Sequence, residues 1–68
     1  MLTIRLNGEP REVRDPALAP LLVELGIEPG RGGVAVALNG EVVPRSRWAD
    51  ASLAAGDELE VVGARQGG

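Results

Sequence analysis

The sequence contains no cysteine and no histidine. The first absence removes disulfides, thiolate metal sites, iron–sulfur clusters and a cysteine nucleophile. The second removes the commonest general base and the commonest metal ligand. Lysine is missing as well: the seven basic residues are all arginine, and ten carboxylates leave a net charge of −3. That is a poor composition for gripping a nucleic-acid backbone. Phenylalanine and tyrosine are absent and Trp48 is the only aromatic residue, so any core must be aliphatic. No apolar run approaches the ~20 residues of a membrane span, and the N-terminus lacks the charged-then-apolar layout of a secretion signal. These exclusions predict a soluble cytoplasmic protein with no nucleic-acid or membrane partner, no metal, no bound cofactor and no catalytic residues of its own. Sixty-eight residues suffice for one small domain, near the lower limit at which a core without staples is stable.

What is present is strongly patterned. Leu2-Thr3-Ile4-Arg5-Leu6 alternates apolar and polar, as a strand with one buried face does. Asn7-Gly8 follows, a dipeptide suited to a tight hairpin because both residues tolerate positive φ. Arg11-Glu12-Val13-Arg14 has one large apolar residue and reads as a short edge strand whose charges discourage edge-to-edge association. Asp15-Pro16 breaks it. Leu18, Leu21, Leu22 and Leu25 then fall at i, i+3, i+4 and i+7, one stripe of an amphipathic helix, which assigns them to the core. Pro20 is compatible with a helix that starts near Ala17 or Leu18, since a first-turn proline forfeits no intrahelical bond. Gly26 stands where a left-handed C-cap belongs, with Ile27 placed to fold back on the helix.

Glu28-Pro29-Gly30-Arg31-Gly32-Gly33 reads as a flexible connector. It is a poor phosphate loop, because it lacks a Gly-Lys-Ser/Thr ending and leads into a strand instead of a helix N-terminus. Val34-Ala35-Val36-Ala37-Leu38 is apolar throughout and is expected to be buried on both faces in the middle of a sheet. A second hairpin signal, Asn39-Gly40, precedes a return strand Glu41-Val42-Val43, ended by Pro44. Arg45 to Asp50 fits a single helical turn with Trp48 against the sheet. Ala54-Ala55-Gly56-Asp57 makes a turn, and Glu58 to Val62 is the last strand, with Leu59 and Val61 facing in.

Two hairpins flank one helix and a final strand follows. This order predicts an α+β fold of β-grasp type: a mixed five-stranded sheet with one main helix on one face and the first and last strands central and parallel. The expected body spans residues 1–62, and residues 63–68 form a flexible C-terminal diglycine tail. Gly63-Ala64-Arg65-Gln66-Gly67-Gly68 offers nothing large and apolar to a core. Without a Cβ, the last two residues can lie flat in a channel too narrow for a side chain. A purely structural terminus gains nothing from glycines, which cost ordering entropy and bury no surface.

These residues resemble the ThiS family, the bacterial sulfur carrier proteins of thiamine biosynthesis, with a ubiquitin-like β-grasp fold. The resemblance rests on Leu38-Asn39-Gly40-Glu41-Val42-Val43-Pro44-Arg45, on Trp48 three residues further, on Ala55-Gly56-Asp57-Glu58-Leu59 and on the terminal Gly67-Gly68, and it spans the whole chain. Pro20 departs from it, standing where the family usually has a helix-forming residue. The resemblance implies that an ATP-dependent adenylating enzyme activates the carboxylate of Gly68. It further implies that a cysteine desulfurase or related sulfur donor converts the adenylate to a thiocarboxylate, and that thiazole synthase takes the sulfur. An ordinary α-carboxylate, with a pKa of about 3.5, is ionised at neutral pH and a poor electrophile until activated. Gly68 would be the modified residue and Gly67 would let the backbone reach the adenylate. Arg65 and Gln66 either orient the tail in a partner's channel or are merely solvated.

Trp48 and Arg45 match the family pattern; packing accounts for them as well as partner contact does, and a lone tryptophan in a small domain favours packing. The outer sheet face, with Val62 and Val43, is a candidate docking patch. The alternatives are a carrier like the small subunit of molybdopterin synthase, a family usually longer and richer in phenylalanine, a ubiquitin-like modifier, and a plain interaction domain. The lack of lysine bars a modifier from building side-chain-linked polymers of itself.

Overall fold

The computed structural model describes residues 1–27 and 33–63. Five strands and one helix follow in the order β1 (Leu2–Leu6), β2 (Glu9–Val13), α1 (Leu18–Glu24), β3 (Val34–Leu38), β4 (Glu41–Val42) and β5 (Glu58–Gly63), with a short 3-10 turn at Arg45–Arg47. The sheet order is β2-β1-β5-β3-β4. β1 and β5 are parallel, and the other neighbours are antiparallel. This is the β-grasp arrangement, with β5 in the middle and β1 beside it.

Both Asn-Gly dipeptides make two-residue turns. Asn7 and Asn39 sit at φ 51° and 52°, and the glycines after them at 87° and 86°, the left-handed pair that matches the twist of hairpin strands. The first turn closes at Leu6↔Glu9, so β2 begins two residues before the expected Arg11 and ends at Val13, before Arg14. Pro10 is tolerated because it lies opposite Arg5, one step past the closing pair. At that step of the antiparallel alternation an edge-strand N–H points away from its neighbour.

The helix starts at Leu18, which puts Pro20 in the first turn where no intrahelical bond is lost. Its N-cap, Ala17, supplies no side-chain cap. Instead the Leu18 N–H donates to the Ala51 carbonyl at 3.1 Å, and the Ala17 N–H to Asp15 Oδ1 at 3.0 Å. At the other end Gly26, at φ 85°, donates to the Val23 carbonyl and Ile27 to the Leu22 carbonyl, both at 2.9 Å. That bond pair is the Schellman motif.

Ile4, Val13, Leu18, Leu21, Leu22, Val36, Trp48, Leu53 and Leu59 form the buried cluster between helix and sheet, with Leu25 and Ile27 partly buried against it. The expectation that β3 is covered on both faces is corrected. Val36 is buried, but Ala35 is exposed, and β3 lies second from the edge while β5 holds the centre. The Val-Ala-Val-Ala-Leu run is an alternation of large and small residues, with the large side chains turned to the helix. β4 keeps only Glu41 and Val42; the Val43 N–H still donates to the Val36 carbonyl at 2.8 Å. β5 runs through Gly63, which pairs with Val34, one residue beyond the Val62 expected to end it. No helix among the described residues is long and apolar enough to cross a membrane.

Candidate functional site

Every feature that bears on the C-terminal segment converges on β5. On its β3 side the strand is paired from Leu59 through Gly63. On its β1 side the pairing covers only Arg5↔Glu58 and Leu6↔Leu59, because β1 turns away at Asn7-Gly8. The Asn7 N–H reaches the Leu59 carbonyl at 2.9 Å. Its side chain then carries the contact further: Oδ1 accepts from the Val61 N–H at 2.9 Å and Nδ2 donates to the Val61 carbonyl at 3.2 Å. The start of β5 is held in a related way by Asn39. There the backbone N–H donates to the Glu58 carbonyl at 2.7 Å, Oδ1 accepts from the Glu58 N–H at 2.9 Å, and Nδ2 donates to Asp57 Oδ1 at 3.1 Å. Asp57 Oδ2 in turn accepts from the Ala54 N–H at 2.8 Å, which fixes the turn before the strand. Sequence reasoning assigned both asparagines to their turns alone. Their second role depends on residues 54 and 19 positions away, and no local pattern announces it.

The segment from Pro44 to Trp48 is a structural brace. Pro44 caps the 3-10 turn, whose Arg47 N–H donates to the Pro44 carbonyl at 2.8 Å. Trp48 is buried, and its Nε1–H donates to the Val43 carbonyl at 2.9 Å. Arg45 is exposed and stacks its guanidinium 5.4 Å from the centre of the indole ring. Packing therefore accounts for Trp48, as the sequence favoured.

The sheet face away from the helix is open. The registers place Thr3, Arg5, Glu58 and Glu60 on one part of it, with Arg5 and Glu58 in an exposed ion pair at 3.8 Å. On the other part Val62 lies opposite Ala35, and Val42 opposite Ala37. Val62 and Val42 are 61% and 74% exposed, which leaves an apolar strip beside the last residues of β5. Val43, expected on this face, is instead half-buried against the core; one position along a strand reverses the face. Around the corner, Leu6, Asn7, Leu25, Ile27, Val34, Val61 and Gly63 line a shallow depression of about 290 Å³. Arg65, Gln66, Gly67 and Gly68, the residues to which the sequence assigns the chemistry, lie outside the described residues.

A model of the ThiS family matches residues 4–68. The chain belongs to the ThiS family. It is 44% identical over 63 residues to the sulfur carrier protein ThiS of Thermus thermophilus, a match that covers 93% of this chain and 95% of that one. Among solved structures, the crystal structure of the thiamine biosynthesis protein ThiS from Geobacter metallireducens has the same fold. The TM-score is 0.78 at 28% identity, covering 98% of this chain and 100% of the other. The ubiquitin-like β-grasp fold is thereby established for the ThiS-family chain. It is a sulfur carrier of thiamine biosynthesis and not a catalyst.

Proposed function

We propose that sulfur is carried on the C-terminal carboxylate of Gly68, with Gly67, Gln66 and Arg65 as the segment a partner enzyme grips. The observation that carries this reading is the place of β5. The central strand of the sheet, held on both sides as far as Val61, leads directly into residues 64–68, and the family match continues to residue 68. No side chain in the sequence offers a thiolate, since cysteine is absent.

The chemistry follows from the carboxylate. One of its oxygens attacks the α-phosphorus of ATP in the site of an adenylating enzyme, and pyrophosphate leaves. The acyl carbon is then electrophilic, and a sulfur nucleophile at the oxidation level of sulfide displaces AMP to give the thiocarboxylate. If the donor is a persulfide, such as that of a cysteine desulfurase, a thiol must also reduce the acyl disulfide that forms. Thiazole synthase is the acceptor. ATP is consumed by the partner and is not bound by the carrier. In this scheme the body, whose last paired strand residue is Gly63 rather than the expected Val62, serves as a handle and residues 64–68 as the delivered substrate. The apolar strip of Val62, Ala35 and Val42 is the face the adenylating enzyme covers, because it lies beside the strand that feeds its active site.

The test is the intact mass after incubation with ATP, adenylating enzyme and sulfur donor. The expected result is exchange of one oxygen for one sulfur, mapped to the C-terminal peptide and lost when Gly68 is deleted. An unchanged mass accompanied by covalent conjugates to other proteins points to a modifier instead.

A further inference from the structure

We propose that Asn7 is a positioning residue for the sulfur-transfer reaction: its carboxamide replaces a missing peptide group and fixes the line along which the C-terminal segment leaves the sheet. This inference rests on the carrier reading given above.

A parallel ladder requires each strand to supply alternating acceptors and donors to its neighbour. β1 does this for β5 through its own backbone up to the Asn7 N–H, which meets the Leu59 carbonyl. The next two bonds, to the N–H and carbonyl of Val61, would need β1 to continue. It cannot, because Asn7 and Gly8 both take positive φ and reverse the chain. The Asn7 carboxamide presents a carbonyl oxygen and an N–H in the planar geometry of a peptide group. It makes both missing bonds, at 2.9 and 3.2 Å. Without it, β5 beyond Glu60 would be held on the β3 side alone, through Val36↔Val61, Ala35↔Val62 and Val34↔Gly63. A strand held on one side can pivot about that edge, and a pivot near Val61 shifts the point and direction at which the chain leaves the sheet after Gly63. Reactions between held groups are sensitive to such errors: a misplacement of about 1 Å can cost ~100-fold in rate.

The decisive variant is Asn7→Gly. Glycine adopts the φ of 51° without strain, so the turn persists while the carboxamide is lost. Asn39→Gly is its control, since it removes an equivalent carboxamide from the opposite end of β5. Adenylation is followed by ATP–pyrophosphate exchange with the adenylating enzyme, together with Tm and hydrogen exchange at the Val61 amide. Asn7→Gly is expected to lower kcat about tenfold or more, with KM within about twofold and Val61 protection lost. Asn39→Gly is expected to lower Tm and leave kcat unchanged. An unaltered kcat in folded Asn7→Gly overturns the proposal, and so does a fall in kcat that both variants share in proportion to lost stability. If the unaltered protein supports no exchange at all, the carrier reading fails first and the positioning role fails with it.

Discussion

Asn7-Gly8 and Asn39-Gly40 are the same dipeptide in the same backbone conformation, within a degree of each other in φ, and they serve different ends of one strand. Asn39 closes a network: it bonds Glu58 and Asp57, and Asp57 bonds Ala54, so the entire approach to β5 is locked. Asn7 makes its side-chain bonds to a single residue, Val61, at the point where β1 has run out. One turn is part of the frame and the other directs what leaves it. Identical local chemistry thus acquires its meaning from which part of the central strand passes by.

The variant that should abolish the comparison is Leu59→Ala. Leu59, the second residue of β5, is fully buried where both turns converge, and losing its side chain should cost about 2–5 kcal/mol. In a domain of this size that approaches total stability, so thermal unfolding should show the fold lost or nearly so. Asp57→Ala should weaken the frame end only, by about 1–2 kcal/mol for two lost side-chain bonds, which lowers Tm by several degrees. Its exchange kinetics with the adenylating enzyme should match the unaltered protein at a temperature where both are folded. A parallel loss of kcat there would erase the distinction between the two ends. Val62→Asp sharpens the other end, since the side chain is exposed. It should change stability by no more than ~0.5 kcal/mol, yet raise KM for the adenylating enzyme severalfold by placing a charge in the apolar strip. An unchanged KM would remove that strip from the interface. Smallest of all, Arg5→Ala breaks only the exposed pair with Glu58 and an exposed bond to the Gly8 carbonyl. A shift below ~0.5 kcal/mol in denaturant unfolding is expected.

Much of this was legible in the chain. The two-residue period of β1, the leucine stripe of α1 and the Gly26 cap are local signals, and each element forms where its pattern lies. The misreadings share a cause. β2 begins earlier than its charges suggested because the register of a two-residue turn pairs Glu9 and Pro10, whatever their propensity. β3 read as doubly buried because alanine counts as apolar, although a small side chain on an open face is equally consistent with the sequence. Val43 was placed on the wrong face because the strand's phase is set by its partner in β3.

The sequence by itself determined the elements, their order, the missing chemistries and, through the motif from Leu38 to Trp48 and the terminal diglycine, the family. Those properties are carried by residues close together in the chain, where spacing translates directly into geometry. Only the tertiary structure decided that β3 leaves one face open, that Val42 and Val62 share that face, and that Asn7 completes a ladder with a residue 54 positions away. Side-chain hydrogen bonds between distant segments exist only once the sheet has set the register, so no reading of one segment alone could supply them.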